Sequence, residues 1–306
     1  MKKGVYLITG CLGFIGSNLV KSIFKKYKLI LVDDLSEGKL KNLPKKLIKK
    51  VIKKKIQDIN NIKVKNLKGI FHLAAQSSVV FSIKKTFESS NNNLSSSLKV
   101  FEIAKKFNIP VIYASSSAVY GNLSIGDDVK NKISITSPYA QDKLILEKYA
   151  KMYYDLFNVA SIGLRFFNVY GPNQNSKSPY SAVIPIFIRQ MKKNLPVTIN
   201  GGYQTRDFIY VNDVIKIMTL AMSYLQKRKT INVINVGTGK SININNLYKL
   251  IKKKLSSQSE VIQKPLQKFD PKKSEGTFNK LKKIIINNNF TFTSLGEGIA
   301  KTILEN

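Results

Sequence analysis

Val5 to Thr9 is a short apolar run, followed at once by Gly10-Cys11-Leu12-Gly13-Phe14-Ile15-Gly16 and then by a helical pattern through Leu19, Val20, Ile23 and Phe24. No other stretch constrains the fold so strongly. A strand that turns into a helix through three glycines leaves bare amides at a helix N-terminus, where an anionic group is stabilised by those amides and by the helix dipole. The G-x-x-G-x-x-G spacing is one residue longer than the usual dinucleotide fingerprint, so the glycines alone also fit a plain strand–helix turn. Asp33 narrows the choice. It follows the next apolar run, Leu29 to Val32, where a carboxylate can accept from both ribose hydroxyls of an adenosine and would repel a 2′-phosphate. Loop and acid together predict a bound dinucleotide, NAD rather than NADP; alone, Asp33 would read as a solvated turn acid.

Further strands are expected at Val51-Ile52 with Ile56, at Ile70 to Ala75, at Val111 to Ala114 and at Ala160 to Phe166. Helical patterns separate them, the longest at Leu94 to Phe107 and from Pro138 toward Phe157, the proline suiting a first helical turn. Strands alternating with helices at this spacing predict an α/β fold with a doubly wound parallel sheet. After Gly171-Pro172 the pattern loosens, and Val211 to Leu225 (helix) and Ile231 to Val236 (strand) read as returning to the main sheet. The expected division is a dinucleotide-binding domain over 1–170, joined by 207–238, and a smaller, discontinuous C-terminal substrate lobe over 171–206 and 239–306.

Composition excludes several classes. Of 306 residues 43% are hydrophobic, enough for a core, and no run reaches the roughly 18 apolar residues of a membrane helix. One cysteine, Cys11, and one histidine, His72, cannot supply a His/Cys metal site. The apolar stretch before Cys11 is too short, and broken by Gly4, to be an export signal, so a cytoplasmic protein is expected. Lys plus Arg is 51 against 18 acids, a formal +33. Only Arg165, Arg189, Arg206 and Arg228 are arginine; the rest is lysine in a chain also rich in Asn and Ile, as a bias toward A/T-rich codons would produce. Geometric phosphate and base readout favours arginine forks, so no specific nucleic-acid partner is expected. The Lys39 to Lys68 stretch, with 12 lysines and one acid, reads as a solvated basic face.

Tyr139 and Lys143 are spaced i, i+4, so on a helix hydroxyl and ammonium face one cleft. An ammonium and a positive nicotinamide nearby would lower the phenol's pKa toward that of a useful base. The Ser115-Ser116-Ser117 run ends a strand upstream. With these stretches in place, the chain resembles the extended short-chain dehydrogenase/reductases, and among them the NAD-dependent nucleotide-sugar 4-epimerases. The resemblance is carried by Thr9 to Ser17, Val32 to Gly38, His72 to Gln76, Ser115 to Gly121, Tyr139 to Lys143, Arg165 to Pro172, Arg206 to Asp213 and Asn235 to Gly239. It implies a Rossmann domain, bound NAD, a UDP-sugar substrate and a homodimer.

The resemblance also implies roles. Gly10, Gly13 and Gly16, with Phe14 and Ile15, hold the pyrophosphate; Asp33 holds the ribose; Asp58 and Ile59 flank the adenine. Leu73, Ala74 and Ala75 line the cofactor path and Asn93 supports the central helix. Tyr139 is the base, Lys143 its electrostatic partner and a nicotinamide-ribose ligand, and Ser116 bonds the reacting sugar oxygen. Asn168 and Arg206 meet the diphosphate side, with Lys268 standing beside Gln267, where the family has a second arginine. Ser274 is a small residue at the gate beside the sugar C2 substituent, leaving room for an N-acetyl group. Asp142 departs from the family's small Ser or Thr. Ser117-Ala118 lacks the acid that dehydratases and decarboxylases place after the catalytic hydroxyl. Alternatives are a UDP-glucuronate 4-epimerase, a nucleotide-sugar reductase or dehydratase, or a nucleic-acid-binding protein on a retired scaffold.

Overall fold

The computed structural model describes residues 4–176, 181–267 and 270–305. In chain order the first elements are β1 (Val5–Thr9), α1 (Phe14–Ile23), β2 (Lys28–Val32), α2 (Lys45–Ile48), β3 (Val51–Ile52), β4 (Leu67–His72), α3 (Val79–Lys84), α4 (Thr86–Phe107), β5 (Val111–Ser116), α5 (Pro138–Phe157) and β6 (Ser161–Phe166). There follow β7 (Asn168–Tyr170), α6 (Val183–Met191), β8 (Val197–Asn200), β9 (Thr205–Tyr210), α7 (Val211–Lys227), β10 (Ile231–Val236), β11 (Ser241–Asn243), α8 (Ile244–Leu255), β12 (Val261–Lys264), β13 (Lys273–Ser274) and α9 (Leu295–Glu305).

Seven strands form one sheet in the order β10-β6-β5-β4-β1-β2-β3, with β1 parallel to both β2 and β4. This is the doubly wound architecture the alternation predicts. The strand order reverses at β1, so the crevice beyond the carboxyl ends of β1 and β4 is where such sheets bind ligands. All five residues of β1 are buried, as expected of a strand covered by helices on both faces.

Three expected elements differ. The strand expected at Ile70 to Ala75 is Leu67–His72, because the Leu73 and Ala74 amides leave the ladder to donate to Thr9 Oγ1. The third strand is only Val51–Ile52, and Ile56 begins a 3₁₀ turn, because the lysines around them leave little apolar face to pair. The long helix α4 begins at Thr86, well before Leu94. Up to Ser97 it buries a polar stripe, Ser89, Asn93, Ser96 and Ser97; only beyond that does it bury Val100, Phe101, Ile103 and Ala104.

The chain forms two compact units, one of 1–116, 137–165 and 215–234, the other of 117–136, 166–214 and 235–306. In the second, β9 pairs with β7, β11 and β13, and β8 pairs with β12. No helix of the described residues is long and apolar enough to cross a membrane.

Candidate active site

The glycine loop sits at the reversal point of the sheet. Gly10 has φ +68°, and a Cβ there would lie 2.7 Å from the Ala74 nitrogen, so the loop and the segment after β4 approach each other as bare backbone. A Cβ on Gly16 would fall 2.0 Å from the Gly10 carbonyl oxygen. Gly13 caps α1 without a side-chain bond and no acid lies in the first turn, which leaves the helix amides to an anion. Phe14 and Ile15 begin that helix.

Asp33 closes the far side. One carboxylate oxygen accepts the Leu12 amide at 2.8 Å, the other the Leu35 amide at 2.9 Å. With the Gly13 amide as a third donor, the carboxylate keeps about one lone pair for a ribose hydroxyl. Burial raises the carboxyl's pKa and these amide bonds lower it. Gly10, Gly13, Asp33, Leu73, Ala74 and Ala75 line one cavity, which Ile56 and Gln57 complete. Asp58 ends the 3₁₀ turn that carries them and Ile59 follows it. Uncapped amides, a buried acid and a slot between them fit NAD: amides for the pyrophosphate, Asp33 for the ribose.

Ser116, Tyr139 and Lys143 come together in the same unit. Ser137 caps α5 by accepting the Ala140 amide at 3.2 Å, and Pro138 opens the helix. The Tyr139 amide donates to Ser82 Oγ at 3.1 Å, pinning the turn to α3. Tyr139 is half-buried, and its hydroxyl is hydrogen-bonded to Ser116. Lys143 Nζ lies 5.6 Å from the Tyr139 ring centre and donates to the Ala114 carbonyl at 2.8 Å. Burial pushes the lysine down to about 8, against the opposing charges of Asp142 and Glu147. Burial raises the Tyr139 phenol, the Ser116 bond lowers it and Asp142 raises it.

The sequence reading missed most of the surrounding frame. Glu147, one turn beyond Lys143, takes Arg165 as a fork, Nε at 2.8 Å and Nη2 at 2.6 Å, and accepts Ser115 Oγ at 2.5 Å. It thereby joins α5 to β5 and β6 beside the site. His72 is held at both ring nitrogens: Nδ1 meets Thr9 Oγ1 at 2.8 Å and Nε2 meets Ser97 Oγ at 3.1 Å. Since Thr9 Oγ1 also accepts the Leu73 and Ala74 amides, its proton goes to His72 Nδ1, assigning the Nε2–H tautomer. Burial, with Lys143 nearby, pushes the imidazole down to about 3, so it is neutral. Asn93 holds the Gln76 backbone at both ends, accepting its amide at 2.8 Å and donating to its carbonyl at 3.2 Å. The i+4 spacing of Lys143 and Glu147 was the one available signal for this frame.

In the second unit, Asn168 donates to the Asp207 carbonyl at 3.1 Å. Arg206 donates to the Asp270 carboxylate and to the Thr205 carbonyl, and Ser274 on β13 is in register with it. Lys268 lies outside the described residues. No group of three or more His, Cys, Asp or Glu among the described residues could hold a metal ion.

Comparisons agree with this geometry. Residues 6–237 match the NAD dependent epimerase/dehydratase family. A putative UDP-glucose 4-epimerase of Methanocaldococcus jannaschii is 35% identical over 84% of each chain. The solved UDP-N-acetylglucosamine 4-epimerase of Methanobrevibacter ruminantium, in complex with UDP-N-acetylmuramic acid, is 34% identical, with a TM-score of 0.89 over 100% of this chain and 98% of that one. The UDP-glucose 4-epimerase of Thermotoga maritima, solved with UDP-glucose, is 30% identical, with a TM-score of 0.87 over 98% of each. With a cradle for the dinucleotide and a Ser–Tyr–Lys set beside it, the chain belongs to the NAD dependent epimerase/dehydratase family.

Proposed function

We propose that the protein interconverts C4 epimers of a UDP-activated hexose. The observation that carries this is the Tyr139 hydroxyl hydrogen-bonded to Ser116, with Lys143 one turn along the same helix. NAD, held by the glycine loop and Asp33, supplies a hydride acceptor that returns what it takes. Tyr139 removes the proton from the sugar O4 as the C4 hydrogen leaves, and gives it back after the 4-keto sugar has turned. Ser116 hydrogen-bonds the same oxygen, and the Lys143 ammonium stabilises the phenolate. No net redox change occurs, so the chain's task is orientation and proton handling.

The first unit serves the cofactor and the second the sugar nucleotide. Arg206 and Asn168 serve the diphosphate side, and the small Ser274 favours an N-acetylhexosamine. Ser117 and Ala118 carry no carboxyl, which favours epimerisation over dehydration. The protein acts as a homodimer.

The test is incubation with UDP-N-acetylglucosamine, UDP-glucose and UDP-glucuronate separately, without reductant, resolving C4 epimers by NMR. A galacto-configured product with unchanged total NADH is expected, UDP-N-acetylglucosamine turning over fastest. Tyr139→Phe lowers kcat about 10²- to 10⁴-fold, the usual worth of a positioned acid–base group. Turnover of none of the three sugars, or a Tyr139→Phe variant as active as wild type, refutes the reading.

A further inference from the structure

Asp142 is unexplained by the chemistry above. It lies between Tyr139 and Lys143 in sequence, is 3% exposed, and no salt bridge reaches its carboxylate among the described residues. Asn93 Nδ2 donates to its Oδ2 at 3.1 Å. The same amide clamps Gln76, the residue directly after the Leu73–Ala74–Ala75 segment that lines the cofactor cavity. A chain of hydrogen bonds, the one to Asp142 buried, therefore runs from the turn bearing the base, through α4, to the edge of the dinucleotide site.

A buried carboxylate held by one neutral amide keeps most of its field. Other charges facing this turn are few. On α5 there is Glu147, whose oxygens are taken by Arg165 of β6 and Ser115 of β5. On β4, His72 is neutral. Asn93 and Ser97 on α4, Gln76 after β4, Ser82 on α3 and Ser116 on β5 are uncharged. Asp142 is thus the acid whose charge is not already matched by a fork of hydrogen bonds.

We propose that Asp142 is a positioning residue. Its bond to Asn93 fixes the Tyr139 turn against the cofactor loop, and its charge beside Tyr139 and Lys143 sets the pH range in which the pair works. The proposal rests on Tyr139 acting as the base. The sign follows from electrostatics: a neighbouring negative charge disfavours phenolate and favours ammonium, so both groups hold their protons to higher pH. The same direction is found at each of the two groups. An uncharged residue at 142 would move both titrations toward acid, displacing the activity profile rather than only lowering it.

Asp142→Asn separates charge from hydrogen bonding, since its carbonyl still accepts from Asn93. Protein labelled with ¹³Cζ-tyrosine and saturated with NAD is titrated by NMR, with Tyr139→Phe assigning the resonance. The Tyr139 midpoint falls by roughly one pH unit in Asp142→Asn and stays near wild type in Asp142→Glu. Both limbs of the kcat/KM profile on the best sugar move to lower pH by a similar amount. An unmoved midpoint overturns the proposal, as does a profile that only loses height. If Asp142→Asn does not fold, Asp142→Ser carries the same titration. No sugar is needed for the NMR arm, so a mistaken substrate and a mistaken role for Asp142 give different results.

Discussion

Two lysines of α5, Lys143 and Lys151, each have an acid four residues further on, and the resemblance ends there. Lys151 reaches both oxygens of Asp155 at 2.6 Å in an exposed pair, with the lysine side chain 63% accessible. Lys143 is buried; its partner by spacing, Glu147, has turned to Arg165 and Ser115, and its own ammonium donates to a strand carbonyl. The pair with ideal contact geometry lies in water, where screening leaves it little value. The buried group without a direct ion pair feels every neighbouring charge. Spacing on a helix therefore says which residues share a face, and desolvation says which of them matter.

The contrast is most exposed to disproof at Glu147. Glu147→Gln leaves the Arg165 guanidinium buried without its counter-charge, and urea unfolding should show a loss of about 3–5 kcal/mol. Adding Arg165→Met to that variant removes the stranded charge and recovers most of the loss, while the side-chain amide introduced at position 147 still accepts from Ser115. A single variant as stable as wild type would mean that water reaches the pair and that the interior of α5 resembles its exposed end.

His72 extends the comparison to a group kept neutral by the same burial. Its folded pKa of about 3 lies below the ordinary 6.5. As pH falls below 6.5 the unfolded chain takes up a proton that the folded chain refuses. The stability contribution is therefore complete above 6.5 and is lost progressively as pH drops toward 3. Between pH 6.5 and 5 this amounts to about 2 kcal/mol. His72→Asn should unfold in urea with a difference between pH 7 and pH 5 smaller by that amount. An equal difference in both proteins would show that the imidazole is charged when folded.

The sequence carried the sheet and the cofactor loop because both depend on local signals. The apolar runs at Val5–Thr9 and Ile231–Val236 match β1 and β10 residue for residue, and Gly10 with Asp33 marks a backbone need that few other residues meet. What it did not carry was set by distant partners. The start of α4 was missed because Thr86 to Asn93 is nearly devoid of apolar residues, and its buried face is polar for reasons lying on β4 and α5. Glu147 looked like any surface acid until Arg165, 18 residues away, was placed against it. Short strands such as Lys273–Ser274 exist only by pairing with β9, so no local period announces them.

The smallest effect completes the comparison. Lys151→Ala removes an exposed i, i+4 pair with two direct bonds of 2.6 Å, yet such pairs contribute only about 0.3–0.5 kcal/mol. The loss should appear in urea melts at low salt and vanish in molar salt, where the screening length falls to roughly 3 Å. The Glu147→Gln loss should persist there, because no mobile ion enters the space between β5, β6 and α5. If both losses fade together with salt, the two ends of α5 share one dielectric environment. If only the Lys151 loss fades, the difference between the two lysines lies in their distance from water and not in their partners.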